Sequence, residues 1–141
     1  MEFDKSTNHQ IVQSPNDKVQ SEDLILRLKG FAKRIMKMAD SMPHTVSSWA
    51  IAKQIVRSGT SPFANYRAAC RAKSPKDFLN KLKMVLEELD ETGGWLELIE
   101  ETEIFPKEKI SLLQQECDEL TRIIQSSVHT MKNNLEKNNN K

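Results

Sequence analysis

Glycine, tyrosine and β-branched runs are all in short supply in this 141-residue chain. Four glycines and one tyrosine are poor material for a sheet, whose strands and tight turns draw on β-branched residues, aromatics and glycine. No apolar run approaches the roughly 20 residues needed to span a bilayer, so no membrane segment is expected. The N-terminus is polar, and no secretory leader is visible. The two cysteines, Cys70 and Cys117, fall inside helical patterns and share no ligand spacing with His9, His44 or His129. That argues for free, buried thiols in a cytoplasmic protein, and against a disulfide framework or a metal centre. A phosphate-cradling loop, a dinucleotide fingerprint and a nucleophile elbow are all missing. Glu87, Glu88, Asp90 and Glu91 lack the Glu-x-x-His partner of a di-iron bundle. The chain therefore reads as non-enzymatic, with no cofactor.

What is present is helical periodicity. Hydrophobic residues make up 38% and charged residues 29%, which suits helices that each bury one stripe. Residues 1–20 are polar and aperiodic and are expected to be disordered, as is the tail 133–141. A first helix is predicted over 21–42, capped by Ser21, with Leu24, Leu28, Phe31, Ile35 and Met38 on one face. A second is predicted over 46–72 behind Thr45, collecting Ile51, Ile55, Gly59, Phe63, Tyr66 and Cys70. Gly59 costs roughly 1 kcal/mol against alanine and an interior proline roughly 3, so a kink or short break is expected near Ser58–Pro62. The third helix has the clearest start: Ser74 as N-cap, Pro75 in the first turn and Asp77 at the third position. Its main stripe runs from Phe78 to Leu96. Residues 100–106 then connect to a fourth helix over 107–132, with Ile110, Leu113, Cys117, Leu120, Ile124 and Val128 as its core. Long amphipathic helices joined by short loops predict an all-α, up-down-up-down antiparallel four-helix bundle over 21–132.

Apolar residues are left over. Met84, Trp95 and Ile99 on the third helix, and Leu112 and Ile123 on the fourth, lie off the main stripes. They are candidates for a subunit interface in a homo-oligomer. Charge is also unevenly spread. Residues 1–84 carry 15 Lys and Arg against 7 Asp and Glu, and residues 85–141 carry 6 against 13. A stripe of Lys53, Arg57, Arg67 and Arg71, with Lys73 beyond it, forms a candidate nucleic-acid-binding face, since such cations on one helix side supply sequence-independent phosphate contacts. The bland reading is a solvated face or ion pairs to Glu87, Glu88, Asp90 and Glu91, and it is preferred for Arg57. Lys29, Lys33 and Lys37 read as a solvated face. Ser58, Ser61 and Asn65 read as buried hydrogen-bonding groups, with Asn65 available to a carbonyl freed near Pro62.

The run over 54–74, with Arg57, Ser58, Ser61, Ala64 and Asn65 at its heart, resembles the signature of the bacterial four helix bundle protein family, also called the 23S rRNA intervening-sequence protein family. Phe78, the acidic cluster 87–91 and Trp95-Leu96-Glu97-Leu98 fit that family's third helix, and the likeness covers about residues 24–132. Where many members have an acidic residue followed by glycine, this chain has Ala68 and Ala69; Pro62 and Phe63 also depart from the usual small or aliphatic residues. The resemblance implies a homo-oligomer, typically a five-membered ring. It also implies kinship to the accessory variability protein of diversity-generating retroelements, which binds nucleic acid and a reverse transcriptase. The expected function is nucleic-acid binding (RNA or DNA), or scaffolding of a nucleic-acid enzyme such as a reverse transcriptase. The alternative is a structural protein-interaction assembly with no nucleic acid.

Overall fold

The computed structural model describes residues 15–139, which form four α-helices and, among those residues, no strand. They are α1 (Pro15–Asp40), α2 (Val46–Ala69), α3 (Pro75–Glu101) and α4 (Lys107–Asn139). Cross-helix bonds give their directions. Arg27 pairs with Glu119 at 3.0 Å and Arg34 with Glu116, so α1 and α4 are antiparallel. Ser58 meets Thr92 between α2 and α3, and Cys117 meets Leu89 between α4 and α3. Each helix packs on its sequence neighbours, and α1 meets α4 along a thinner seam that closes the bundle. This is the expected up-down-up-down order.

The predicted stripes are the core. Leu28, Phe31 and Ile35 from α1, Ile55 from α2, Leu82, Leu89 and Leu96 from α3, and Ile110, Leu120 and Ile124 from α4 are fully buried. Burying such side chains contributes about 1.5–3 kcal/mol each. Two of the three predicted caps form. The Thr45 hydroxyl accepts from the Ser48 N–H at 3.2 Å. The Ser74 hydroxyl accepts from the Asp77 N–H at 3.1 Å, while Asp77 accepts from the Lys73 N–H at 3.4 Å. Lys81, then that backbone bond, hold the Asp77 carboxyl below its ordinary range.

Several boundaries differ from expectation. α1 opens at Pro15, inside the segment expected to be disordered, and Ser21 is a buried residue of the helix rather than its cap. Proline's fixed φ suits a first helical turn as well as a loop. α4 continues to Asn139, because Met131 and Leu135 extend the core stripe past Val128 at helical spacing. The rest of the expected disordered ends, residues 1–14 and 140–141, lies outside the described residues. α2 stops at Ala69, three residues short, where Arg71 and Ala72 turn tightly onto Ala68 and Ala69. No break occurs at Pro62, which sits buried within a continuous α2. The Thr60 and Ser61 hydroxyls donate to the carbonyls of Val56 and Arg57, both at 2.7 Å, and strap the turn before the proline. The bond expected from Asn65 does not form among the described residues.

At Gly59, α1 packs close against α2. A Cβ there would lie 2.8 Å from the buried Ile35 Cγ2. Glycine is required by that approach, and its low helix propensity is offset by the packing it permits.

Candidate nucleic-acid interface

The basic stripe of the sequence splits in two. Arg57 leans toward α3. Its Nη1 donates to Glu88 Oε2 at 2.9 Å and its Nη2 to Glu91. Glu91 and then Glu88 push the guanidinium pKa up. Glu91 in turn accepts from the Trp95 indole N–H at 3.1 Å. The indole, then Arg57, hold the Glu91 carboxyl below its ordinary range. Arg57 is thus partnered, as its preferred reading has it.

Lys53 and Arg67 lean the other way, toward α1, and rest on aromatic rings. Lys53 Nζ is 3.9 Å from the centroid of the Trp49 ring. The Arg67 guanidinium is 5.6 Å, and Lys29 Nζ from α1 is 5.8 Å, from the centroid of Phe63. These are cation–π distances. None of Lys29, Lys53, Arg67 and Arg71 has a carboxylate partner among the described residues; Lys73, in the turn after α2, stands beside Asp77, which accepts its backbone N–H and feels its charge. Lys33 and Lys37, also exposed and unpaired, extend the charge across α1. The face is therefore electropositive because its cations are not cancelled at home.

Sequence reasoning missed Trp49 and the exposure of its ring. The signal was available: Trp49 lies four residues before Lys53, and Phe63 four before Arg67, the spacing that stacks side chains on one helix face. Trp49 is 64% exposed.

The candidate interface residues fall on separate faces. Met84 is exposed, and Leu98, seven residues beyond Glu91, joins it on the outer side of α3 beside the half-buried Trp95. Leu112, 73% exposed, and Ile123 line the opposite seam between α1 and α4. Ile99 needs correction: it is fully buried in the chain's own core, one helical step beyond the equally buried Leu96, and so is not available to a second subunit. Buried Cys70 and Cys117 are both free. Burial pushes the Cys117 thiol up to about 12 and raises the Cys70 thiol as well. Among the described residues no cluster of three or more His, Cys, Asp or Glu could hold a metal ion, and no helix is long and apolar enough to cross a membrane.

A family model described as 23S rRNA-intervening sequence protein matches residues 23–126. The chain belongs to this family. The match spans all four helices and takes in Arg57, Ser58 and Asn65, the residues on which the resemblance was read. Among solved structures, the chain is similar to a protein of unknown function from the S23 ribosomal protein family of Bacteroides thetaiotaomicron. The two are 33% identical and superpose with a TM-score of 0.72, over 77% of this chain and 97% of that one. No curated protein matches. In this chain the intramolecular Arg57–Glu88–Glu91 cluster ties α2 to α3, and the aromatic-backed cations Lys29, Lys53 and Arg67 are exposed on α1 and α2.

Proposed function

We propose that this protein is a non-enzymatic, self-associating four-helix bundle that binds nucleic acid, or scaffolds a nucleic-acid enzyme such as a reverse transcriptase, through the outer face of α1 and α2. The observation that carries the reading is the set of exposed cations there with no carboxylate partner among the described residues, Lys29, Lys53 and Arg67, with Arg71 in the turn that follows α2. Phosphate is the partner that several parallel cations fit.

Self-association is supported by the apolar patches on opposite sides of the bundle, Met84 and Leu98 on one and Leu112 on the other. Two different patches facing away from each other fit a head-to-tail contact, which closes into a ring when the rotation allows. The five-membered ring implied by the family is one such closure, and it would repeat the basic face around an axis and add weak sites through avidity.

The test is fluorescence anisotropy with labelled RNA and DNA at 50 and 200 mM salt. Binding is expected to weaken steeply with salt, and Arg67→Ala with Arg71→Ala to reduce the log–log salt slope by about 2. Absence of binding at low salt would leave the structural assembly as the better reading. Light scattering tests association: Met84→Glu or Leu112→Glu, both at exposed positions, is expected to yield monomers. A monomeric parent protein refutes the ring.

A further inference from the structure

We infer that the α1–α2 face takes single-stranded polynucleotide in preference to duplex, with Trp49 as the base-stacking platform and Lys53, Lys29 and Arg67 as the adjoining phosphate contacts. This rests on the reading above that the face meets nucleic acid, and adds which form of it.

An indole that is 64% exposed leaves a large apolar surface in water, which a side chain needed only for packing would hide. Trp49 does not stand alone. It forms one wall of a groove of about 760 Å³ at the α1–α2 end of the bundle, with Met42, Pro43, Val46, Ala52 and Val56. Val46 is 89% exposed. Lys53 also lines that groove, its Nζ resting on the indole; Asp40 is the carboxylate at its margin. Lys53 Nζ lies over one face of the indole, so a base stacks on the other face or takes the place of the flexible Lys53 side chain, whose ammonium then meets the strand's phosphate.

Further along the same side, Phe63 carries Lys29 and Arg67. Trp49 and Phe63 are fourteen residues apart, about 21 Å along a helix. A strand stacked on Trp49 would therefore follow α2 for several nucleotides to reach the second pair of cations. The charge sign selects a polyanion, and the exposed ring selects its form. A duplex keeps its bases stacked internally and offers this surface phosphates alone, whereas an unpaired base can lie on the indole. Neither stacking nor phosphate contact reads the 2′-hydroxyl, so RNA and DNA strands are bound alike.

The experiment measures the full-length protein against labelled 15-mers of oligo-dT and oligo-U, and against a mixed-sequence DNA duplex, at 50 mM salt. Both single strands are expected to bind more tightly than duplex and to quench tryptophan fluorescence. Trp49→Ala is expected to weaken single-strand binding by about 5- to 100-fold while leaving duplex binding unchanged. Trp49→Phe retains most of the affinity but loses the quench. Arg67→Ala with Arg71→Ala weakens both ligands. Equal affinity of the parent and Trp49→Ala for single strands, duplex bound as tightly as single strands, or binding of only one of the two oligonucleotides overturns the inference and leaves the phosphate-binding reading standing. No binding of any nucleic acid removes that reading, and this one with it.

Discussion

The two halves of the bundle handle charge in opposite ways. The α1–α2 half packs closely at Gly59 and turns most of its cations outward without carboxylate partners among the described residues. The α3–α4 half is acidic, and Glu88, Glu91, Glu116 and Glu119 reach across to Arg57, Arg34 and Arg27. Opposite net charges in one small domain need not cancel. Between helices, among the described residues, only the arginines at the two seams meet carboxylates, because a bundle brings neighbouring helix flanks together and keeps the outer faces apart. Exposed pairs of this kind contribute about 0–1 kcal/mol each, so they orient the halves more than they stabilise them. Stability comes from the shared core, and the free cations are a surface property that folding does not require.

The close contact is the first place to test the difference. Gly59→Val is expected to destabilise the protein by about 3 kcal/mol, since the new side chain would drive into Ile35, whose methyl lies 2.8 Å from the position of a Cβ. On α3, Gly94 has nothing within 4 Å of such a Cβ, and Gly94→Ala is expected to stabilise by about 1 kcal/mol through helix propensity. Urea denaturation of both variants reads the contrast. A cost below about 1 kcal/mol for Gly59→Val would show that α1 does not bear on α2 as closely as the distance says.

Between the halves lies a buried hydroxyl pair, Ser58 and Thr92, 2.9 Å apart, with Thr92 also bonded to the Glu88 carbonyl at 2.8 Å. Thr92→Val strands the Ser58 hydroxyl in the core and is expected to cost about 2 kcal/mol. Adding Ser58→Ala should recover about half of that, a coupling that a double-mutant cycle measures. Additive losses would mean that the hydroxyls do not depend on one another.

Alkaline pH separates a core property from a surface one. Burial favours the neutral form of the Cys117 thiol, whose pKa rises from an ordinary 9.0 to about 12, and raises Cys70 in the same direction. A group with a raised folded pKa contributes fully below its unfolded value and loses that contribution as pH climbs toward the folded one. Stability is therefore expected to fall between about pH 9 and pH 12, by about 1 kcal/mol at pH 10 from Cys117 alone. Cys117→Ala lowers stability at every pH but flattens this decline, and melting curves from pH 7 to 10.5 check the slope. An unchanged slope would place the alkaline loss on other groups.

How legible all this was depends on what each feature needs. Helix identity, the Ser74–Asp77 cap and the core stripes follow from local spacing, and they were readable. The membership of Ile99 in the core was not, because its position lies at the edge of the apolar sector, where only the packing of the neighbouring elements decides. Arg57's partners lie in the acidic cluster the sequence offered, since both sit in strongly periodic helices. Trp49 was overlooked because an aromatic residue in an amphipathic helix reads as core by default. Its phase, shared with Lys53 and Arg67 and not with Ile55, was the clue.

Arg57 sharpens the charge comparison directly. With Glu88 and Glu91 beside it, the guanidinium is expected to add nothing to phosphate binding, so Arg57→Ala should leave the salt slope for an oligonucleotide unchanged. Glu88→Gln with Glu91→Gln releases it onto the surface and should steepen that slope by about 1. A loss of slope in Arg57→Ala alone would place Arg57 among the phosphate contacts despite its partners.

The smallest effect separates the turns. α2 and α3 are joined through a side-chain cap, in which the Ser74 hydroxyl accepts from the Asp77 N–H and the Asp77 carboxylate from the Lys73 N–H, whereas the α3–α4 turn closes on backbone bonds. There Glu103, at φ 56, is the only non-glycine residue with positive φ among the described residues. Ile104 N–H reaches back to the Ile99 carbonyl at 3.2 Å and Glu103 N–H to that of Glu100 at 3.0 Å, the bonding that closes a helix around a left-handed residue. A side chain in that region costs about 1–2 kcal/mol, part of which glycine gives back through its greater freedom when unfolded. Glu103→Gly is thus expected to stabilise by about 0.5 kcal/mol, read as a small rise in the urea midpoint without a change in m. Destabilisation would mean that the Glu103 side chain supports the turn by more than its backbone strain costs.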